Sequence, residues 1–489
     1  MTHFNWLLDG SIVGLYLLIT MIAGLWVRKY VGKVEHFLVA GREMDIYLGI
    51  ASLAATEFGI VTCMYTAQNG YNHGFAGATP GILMAAAMLI IGLTGFCIKP
   101  LRDSGVMTLP ELIEKKFGPR IRWASGVVIV LGGLLNMGVF LRVGGEFLVL
   151  VAGMDPQYLE LMMTIMLVGV AVYTILGGML SVLVTDFLQF VVMSLGLIVV
   201  TILILVNVGW DKLVTTVELN IGAGGFNPFI NAELGWGFVI FQALINTAAV
   251  LTWQTTIARV LAAKDTDTGQ KIYTRTSFFF VARFLIPGIW GIAALATLGK
   301  VTNSLEAMPM FLATFVPVGV MGLLIAAMLA ADMSTDSSYM LTWGSVIYND
   351  ILAPFHKGKW PEKKGLLVNR FIVAIIGVFL LIYGLWYKLE GGLWDYLTLT
   401  GTIYLASISV LLIAGCYWDR ANSWGAAAAI VVSAAIPVAY LVMEKTDAAR
   451  AFAKSIGPYY SGIAAFAGAG LAMVIGSLLK PNSNKETSV

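Results

Sequence analysis

The chain alternates long apolar runs with short polar interruptions, and an apolar run of about 20 residues is what a helix needs to cross a bilayer core. Thirteen such runs can be marked, at approximately 10–28, 45–71, 76–98, 120–152, 158–176, 179–207, 234–262, 273–299, 318–350, 366–387, 394–417, 424–443 and 457–479. The connections are short, apart from the Gly- and Asn-containing stretch 208–233. Residues 1–489 therefore read as a single all-α transmembrane unit, with little chain left for a soluble domain. The ninth run changes character part-way along, where Asp332, Ser334, Thr335, Asp336, Ser337 and Ser338 interrupt it. Hydroxyls and carboxylates at that depth have no water to solvate them, which points to a cation site or an ion pathway.

Composition agrees: 58% of the residues are hydrophobic and 12% charged, against about 25% charged in a soluble domain. The 53 glycines suit helices that must approach closely in lipid. Residues 1–10 lack the basic region and small-residue cleavage site of a signal peptide, so the first run is expected to be retained. Of the 30 lysines and arginines, 22 fall in the loops after odd-numbered runs, including Arg259, Lys357 and Lys359. Six fall on the opposite side, and Arg142 and Arg283 lie within runs. Cytoplasmic loops are enriched in these residues, which predicts an integral protein of the plasma or inner membrane with its N-terminus outside and its C-terminus inside. The net charge of +2 then reflects topology and not nucleic-acid binding. Cys63, Cys97 and Cys416 show no CxxC spacing, and His3, His36, His73 and His356 have no paired ligands, so neither a metal centre nor a nucleophilic catalytic set emerges.

Several short motifs fall in a consistent order around the runs. His36-Phe37-Leu38-Val39-Ala40-Gly41-Arg42 precedes the second, and Thr108-Leu109-Pro110-Glu111-Leu112-Ile113-Glu114-Lys115-Lys116-Phe117-Gly118 precedes the fourth. Gly177-Gly178 and Thr185-Asp186-Phe187-Leu188-Gln189 open the sixth, Arg259-Val260-Leu261-Ala262-Ala263-Lys264 closes the seventh, and Trp418-Asp419-Arg420-Ala421-Asn422 follows the eleventh. Together with the serine-rich ninth run, they resemble the sodium:solute symporter family over nearly the whole chain.

The resemblance implies a fold like that of the leucine transporter, with about thirteen transmembrane helices. Two five-helix repeats of opposite orientation (45–207 and 234–417) form its core, and 10–28 and the two helices of 424–479 are peripheral. The first helix of each repeat should break near the midplane, freeing backbone carbonyls and exposing helix ends to a ligand. Thr56-Glu57-Phe58-Gly59 and Leu251-Thr252-Trp253-Gln254 supply polar breaks at that depth. Sodium, a hard cation, takes oxygen ligands. Ser334 and Thr335 offer hydroxyls, and the family pattern adds the carbonyls of Ala54, Glu57 and Ala331. Isolated Ser and Thr can instead bond back to the carbonyl one turn earlier, but the matched context favours the ion. A second sodium position in some relatives corresponds here to Asp186, Ser337 and Ser338; a purely structural Asp186 is the other reading.

Asp332 and Asp336 do not belong to the family pattern. Spaced i, i+4, they share a helix face, and buried carboxylates need a cationic partner, a proton or access to a water-filled vestibule. For the solute, Glu57 and Trp253 stand at the two breaks, Asn136 lies on the fourth run, and Gln68 and Gln254 could orient polar groups. In choline-type relatives the place matched by Glu57 is aromatic, whereas Trp253 keeps an aromatic match. A carboxylate beside a Trp suits an amine through ion pairing and cation–π attraction, while Glu and Gln also suit the hydroxyls of a sugar or polyol. Arg142 and Glu146, also i, i+4, either neutralise each other or place Arg142 to bind a solute carboxylate.

These expectations describe a non-enzymatic secondary transporter that moves a small polar solute with sodium across the bilayer by alternating access. An amine-bearing solute such as an amino acid is the first reading and a sugar, polyol or carboxylate the alternative. A sensor built on the same fold would need a regulatory domain, for which the tail after Leu479 offers no room. A passive channel would need a continuous polar pore.

Overall fold

The computed structural model describes residues 3–355, 360–387 and 392–480. His356, Lys357, Lys359, Lys388 and Lys485, used above as a candidate histidine or in the charge distribution, lie outside them. The principal helices are α1 (Leu8–Val27), α2 (Ile46–Thr56), α3 (Ile60–His73), α4 (Thr79–Thr94), α5 (Pro119–Met137), α6 (Phe140–Ala152), α7 (Leu159–Asn207), α8 (Gly235–Thr252), α9 (Gln254–Ala262), α10 (Thr266–Leu298), α11 (Val320–Val346), α12 (Glu362–Trp386), α13 (Leu393–Tyr417), α14 (Ser423–Lys445) and α15 (Asp447–Leu479). The stretch 208–233 is less irregular than its composition suggests, since Trp210–Asn220 forms a helix within it.

Among the described residues, eleven helical segments are long and apolar enough to cross a membrane, and two of them each take up parts of two of the thirteen runs. The difference comes partly from Pro156–Asn207, which is continuous enough to count once although it bends at Gly178. Gly178 has φ 55°, a conformation that costs a residue with a Cβ dearly, and a Cβ there would also run into Phe37. Ile60–Thr94 likewise counts once although it turns at Gly74, while Ile46–Thr56, ahead of it, is a shorter apolar helix.

Two contrasts locate the functional core. On α1, Leu15, Leu18 and Ile22 are exposed, as expected of a helix facing lipid. On α11, every residue from Leu324 to Val346 is buried, hydroxyls and carboxylates included. The two helices are tied at one end: Asp9 Oδ1 accepts the backbone amides of Gly319 and Gly322 at 2.7 and 2.8 Å, satisfying amides that open α11. Helices α3 and α10 meet backbone to backbone, because Gly70 faces the carbonyl of Gly288 and Gly291 faces that of Ala67 with no side chain between them.

Candidate functional site

Helical geometry fails at two places beside α11. Between α2 and α3 it is lost over Glu57, Phe58 and Gly59. The Phe58 amide donates to Ala55 O at 3.3 Å and not to Ala54, so that bond of the helical ladder leaves the Ala54 carbonyl. Between α8 and α9, Trp253 adopts extended backbone at φ −64°, ψ 116°. Each break therefore comes at a polar or aromatic residue inside an apolar crossing, where a ligand can meet the main chain directly.

Thr335 of α11 faces the first break. Its Oγ1 donates within 3.0 Å of both Thr56 O and Ala331 O, and Gly59 packs against the same hydroxyl. Thus Thr335, the Ala331 carbonyl and the end of α2 are brought together. Ser334 turns elsewhere and donates to Asp186 Oδ1 at 2.5 Å.

Asp186, on α7, is the centre of a second cluster, completely buried and paired with an equally buried Arg259 at 3.1 Å. Ser52 Oγ donates to Asp186 Oδ2 at 2.5 Å. The Arg259 Nη2 also donates to Thr56 Oγ1 and Ser338 Oγ, both at 2.5 Å, and its Nε donates to Ser52 Oγ at 3.1 Å. Helices α2, α7, α9 and α11 are locked by this one guanidinium. Ser337 donates back to Ser334 O at 3.1 Å. The sequence reading counted Arg259 as a cytoplasmic loop charge, and this is corrected: it lies on α9 with no exposed surface. Burying an arginine is costly without a carboxylate partner, and Asp186 supplies it.

Glu57 is likewise not an isolated carboxylate. Its Oε1 accepts from Thr255 and Thr256 at 3.0 Å each, joining the first break to the start of α9. Its Oε2 lies 3.3 Å from Arg283 Nη1 on α10. Arg283 Nη2 in turn donates to Tyr65 OH at 2.9 Å. This pair lines a central cavity together with Asn136, Asn246, Trp253, Asp332 and Tyr339. Trp253 Nε1 donates to Tyr339 OH at 3.1 Å, and its ring stacks on Tyr404. Asn136 donates to Leu397 O at 2.8 Å and Thr400 Oγ1 at 3.2 Å, which orients its amide against α13.

The other residues singled out from sequence lie apart. Gln68 lines a separate, polar vestibule, where it receives the Leu393 amide at 3.2 Å and donates to Ser304 at 3.0 Å. Trp394 borders both this vestibule and the central cavity and packs on Tyr65 at 4.6 Å between ring centroids, forming an aromatic partition. Gln254 is buried at the start of α9, outside the cavity lining. Arg142 pairs with Glu146 at 3.1 Å and donates to Gly384 O at 2.9 Å, away from the cavity. Asp332 and Asp336 are 2% exposed, and Asp332 Oδ2 and Asp336 Oδ1 have no hydrogen-bond partner among the described residues.

Residues that sequence reasoning passed over include Ser52, Thr56, Thr255, Thr256, Arg283 and Tyr65. Arg283 carried a usable signal, being an arginine inside an apolar run, where a charge ordinarily has a partner and a purpose. The threonines carried none, since hydroxyls are unremarkable in membrane helices.

A sequence profile of the sodium:solute symporter family matches residues 37–433, which include both breaks, Asp186, Arg259 and the first part of α14. The chain belongs to that family. This symporter is 26% identical over 480 residues to sodium/glucose cotransporter 4 of Danio rerio, covering 89% of this chain and 72% of that protein. It is 24% identical over 524 residues to the sodium/mannose cotransporter SLC5A10 of Bos taurus, covering 97% and 87% respectively. A solved structure of a Na+-coupled sialic acid symporter, in a substrate-bound outward-open state, matches with a TM-score of 0.81 at 20% identity, over 97% of this chain and 98% of that one. The fold is therefore the leucine-transporter-like one that the motifs implied. The symporter is an integral membrane transporter and not an enzyme, and sodium is its co-transported ion.

Proposed function

We propose that this symporter carries a hydroxyl-rich solute of the sugar or polyol class, by alternating access between repeats 45–207 and 234–417, with 10–28 and 424–479 peripheral. The observation that carries the reading is the closure of Glu57. An amino acid's ammonium group at this break would need that carboxylate unpaired, and it is held by Arg283, Thr255 and Thr256. The wall also carries the amides of Asn136 and Asn246, the hydroxyl of Thr398, the carboxylate of Asp332 and the ring of Trp253, a set that suits hydroxyls and a flat sugar face. The names of the sugar-transporting relatives favour the same class over an amino acid.

Sodium sits, in this reading, between the first break and α11, with Thr335 and the carbonyls of Ala54, Glu57 and Ala331 as ligands and Ser334 able to turn in from Asp186. The reading takes one sodium ion, because Arg259 donates to both Asp186 and Ser338 and so puts a positive charge at the second position. Sodium bound at a junction of α2, α3 and α11 favours the state in which those helices are in register and the solute cavity is formed, so each ligand raises the affinity for the other. The N-terminus is placed outside the plasma membrane and the C-terminus in the cytoplasm, on the distribution of basic residues.

Uptake by purified protein in proteoliposomes, driven by a sodium gradient and compared with potassium, tests the reading. Sugars should accumulate against their gradient in sodium only. Accumulation of amino acids in place of sugars would overturn it.

A further inference from the structure

Asp332 is the one carboxylate that both lines the central cavity and lacks a protein cation among the described residues. It is 2% exposed, and its Oδ2 has no partner. Its other oxygen lies over the backbone of α6 at Gly144, where a Cβ would come within 3.1 Å of Oδ1 and crowd it. The cations that might have neutralised it are engaged elsewhere: Arg283 with Glu57, Arg142 with Glu146, and Arg259 with Asp186. Asp336, one turn further along α11, adds a second carboxylate with an unpartnered oxygen. A buried carboxylate with no partner is expensive, and here it faces the chamber through which ligands pass.

We propose that Asp332 receives one positive charge delivered through the cavity, and that the charge is the ammonium group of a hydroxyl-rich solute of the amino-sugar class. This rests on the reading of the cavity as a sugar site and deepens it, since Glu57 is closed by Arg283 and Asp332 is the acceptor that remains. The other carboxylate on the cavity wall, Glu57, is already paired with Arg283. Hydroxyls of the same solute would meet the amides of Asn136 and Asn246, and its apolar face the ring of Trp253. The same charge could be brought by a second sodium ion beside a neutral sugar, and the test separates the two sources.

Binding of glucosamine, N-acetylglucosamine and glucose is measured on the full-length protein in detergent at saturating sodium, for wild type, Asp332→Asn and Asp332→Glu. Sodium titrations without solute are run on the same preparations, and melting curves show that each variant is folded. Glucosamine should bind wild type at least tenfold more tightly than glucose or N-acetylglucosamine, which lacks the charge. That preference should vanish in Asp332→Asn and persist in Asp332→Glu. Equal affinity for glucose and glucosamine, with a sodium Hill coefficient that falls only in Asp332→Asn, assigns the charge to a sodium ion and overturns the amino-sugar source. Equal affinities with no change in the sodium titration overturn the role of Asp332 altogether, leaving the sugar reading intact. If none of the three sugars binds wild type, the sugar reading falls, and the amino-sugar assignment falls with it.

Discussion

Beside the two broken helices lie two arginine–carboxylate pairs, Asp186 with Arg259 and Glu57 with Arg283. In the first, both side chains are completely enclosed, and hydroxyls from α2 and α11 fill the space around the ions. In the second, the separation is 3.3 Å, Arg283 is 9% exposed, its Nε has no partner, and both residues border the central cavity. Two charges of the same kind thus do different work. A saturated pair can move only by unpacking four helices. A pair with one open side can be rearranged by an incoming ligand at the cost of a single long contact. The first fits a clamp that holds the broken helices to α11, and the second fits a contact remade during each transport cycle.

The contrast is broken most severely at Arg259. Arg259→Met leaves Asp186 charged, buried and unpaired, which should cost about 3–5 kcal/mol and show as a large loss of folded protein and a lowered melting temperature in detergent. Replacing both residues, Asp186→Leu with Arg259→Met, should recover most of that loss, because apolar pairs of similar volume often substitute for buried ion pairs. A double variant that melts no higher than the single one would mean that the cluster does more than neutralise charge.

At the cavity pair the same kind of change should be gentler. Glu57→Gln keeps an oxygen for Thr255 and Thr256 and loses only the charge facing Arg283, so a cost of about 1.5–3 kcal/mol is expected. It should fall on solute binding, read by isothermal titration, more than on the melting temperature. Equal damage to both would erase the distinction between a clamp and a remade contact.

How far this distinction could be read from the chain depends on the residue. The crossings and the two breaks were legible because apolar length and polar interruption are local properties of the sequence. The motif Thr185–Gln189 and the motif beginning at Arg259 were legible as family marks, yet nothing along the chain said that they are partners, 73 residues apart in sequence. Arg259 was misassigned for a physical reason: it ends an apolar run, where an arginine ordinarily reaches toward the interface, and only packing against α2 and α7 buries it. Glu57 was placed at the break but read as a solute ligand, because its partner Arg283 comes from a different crossing. Two of the thirteen runs fall on one helix, because Gly178 bends it without ending it. Asn422, by contrast, announces itself: it caps α14 by accepting the amides of Trp424 and Gly425 at 3.0 and 3.1 Å.

Thr335 sharpens the comparison, since it sits between the clamp and the cavity. Thr335→Ala removes a hydroxyl within 3.0 Å of Thr56 O and Ala331 O without touching either ion pair. The sodium concentration for half-maximal uptake should rise about tenfold, equivalent to about 1.4 kcal/mol, with little change in melting temperature. Ser334→Ala should do the reverse, because its hydroxyl serves Asp186: a lower melting temperature and a smaller shift in sodium dependence. If the two variants behaved alike, the division of α11 into a sodium face and a clamp face would be wrong.

The smallest effect is expected at Trp253, which lines the cavity and bonds neither arginine. Its indole donates to Tyr339 OH at 3.1 Å and stacks on Tyr404 with centroids 5.7 Å apart. Trp253→Phe keeps an aromatic face for the solute and loses the hydrogen bond, leaving Tyr339 OH without that donor. Neutral hydrogen bonds contribute about 1 kcal/mol, so solute affinity should weaken by roughly fivefold while sodium dependence and melting stay near wild type. Because the break at Trp253 is a backbone feature, φ −64° and ψ 116° being open to any L-residue, the phenylalanine should not restore the helix. A shift in sodium dependence as large as that of Thr335→Ala would show that the second break is tied to the ion and not only to the solute, and the separation between the two regions would have to be redrawn through α8 and α9.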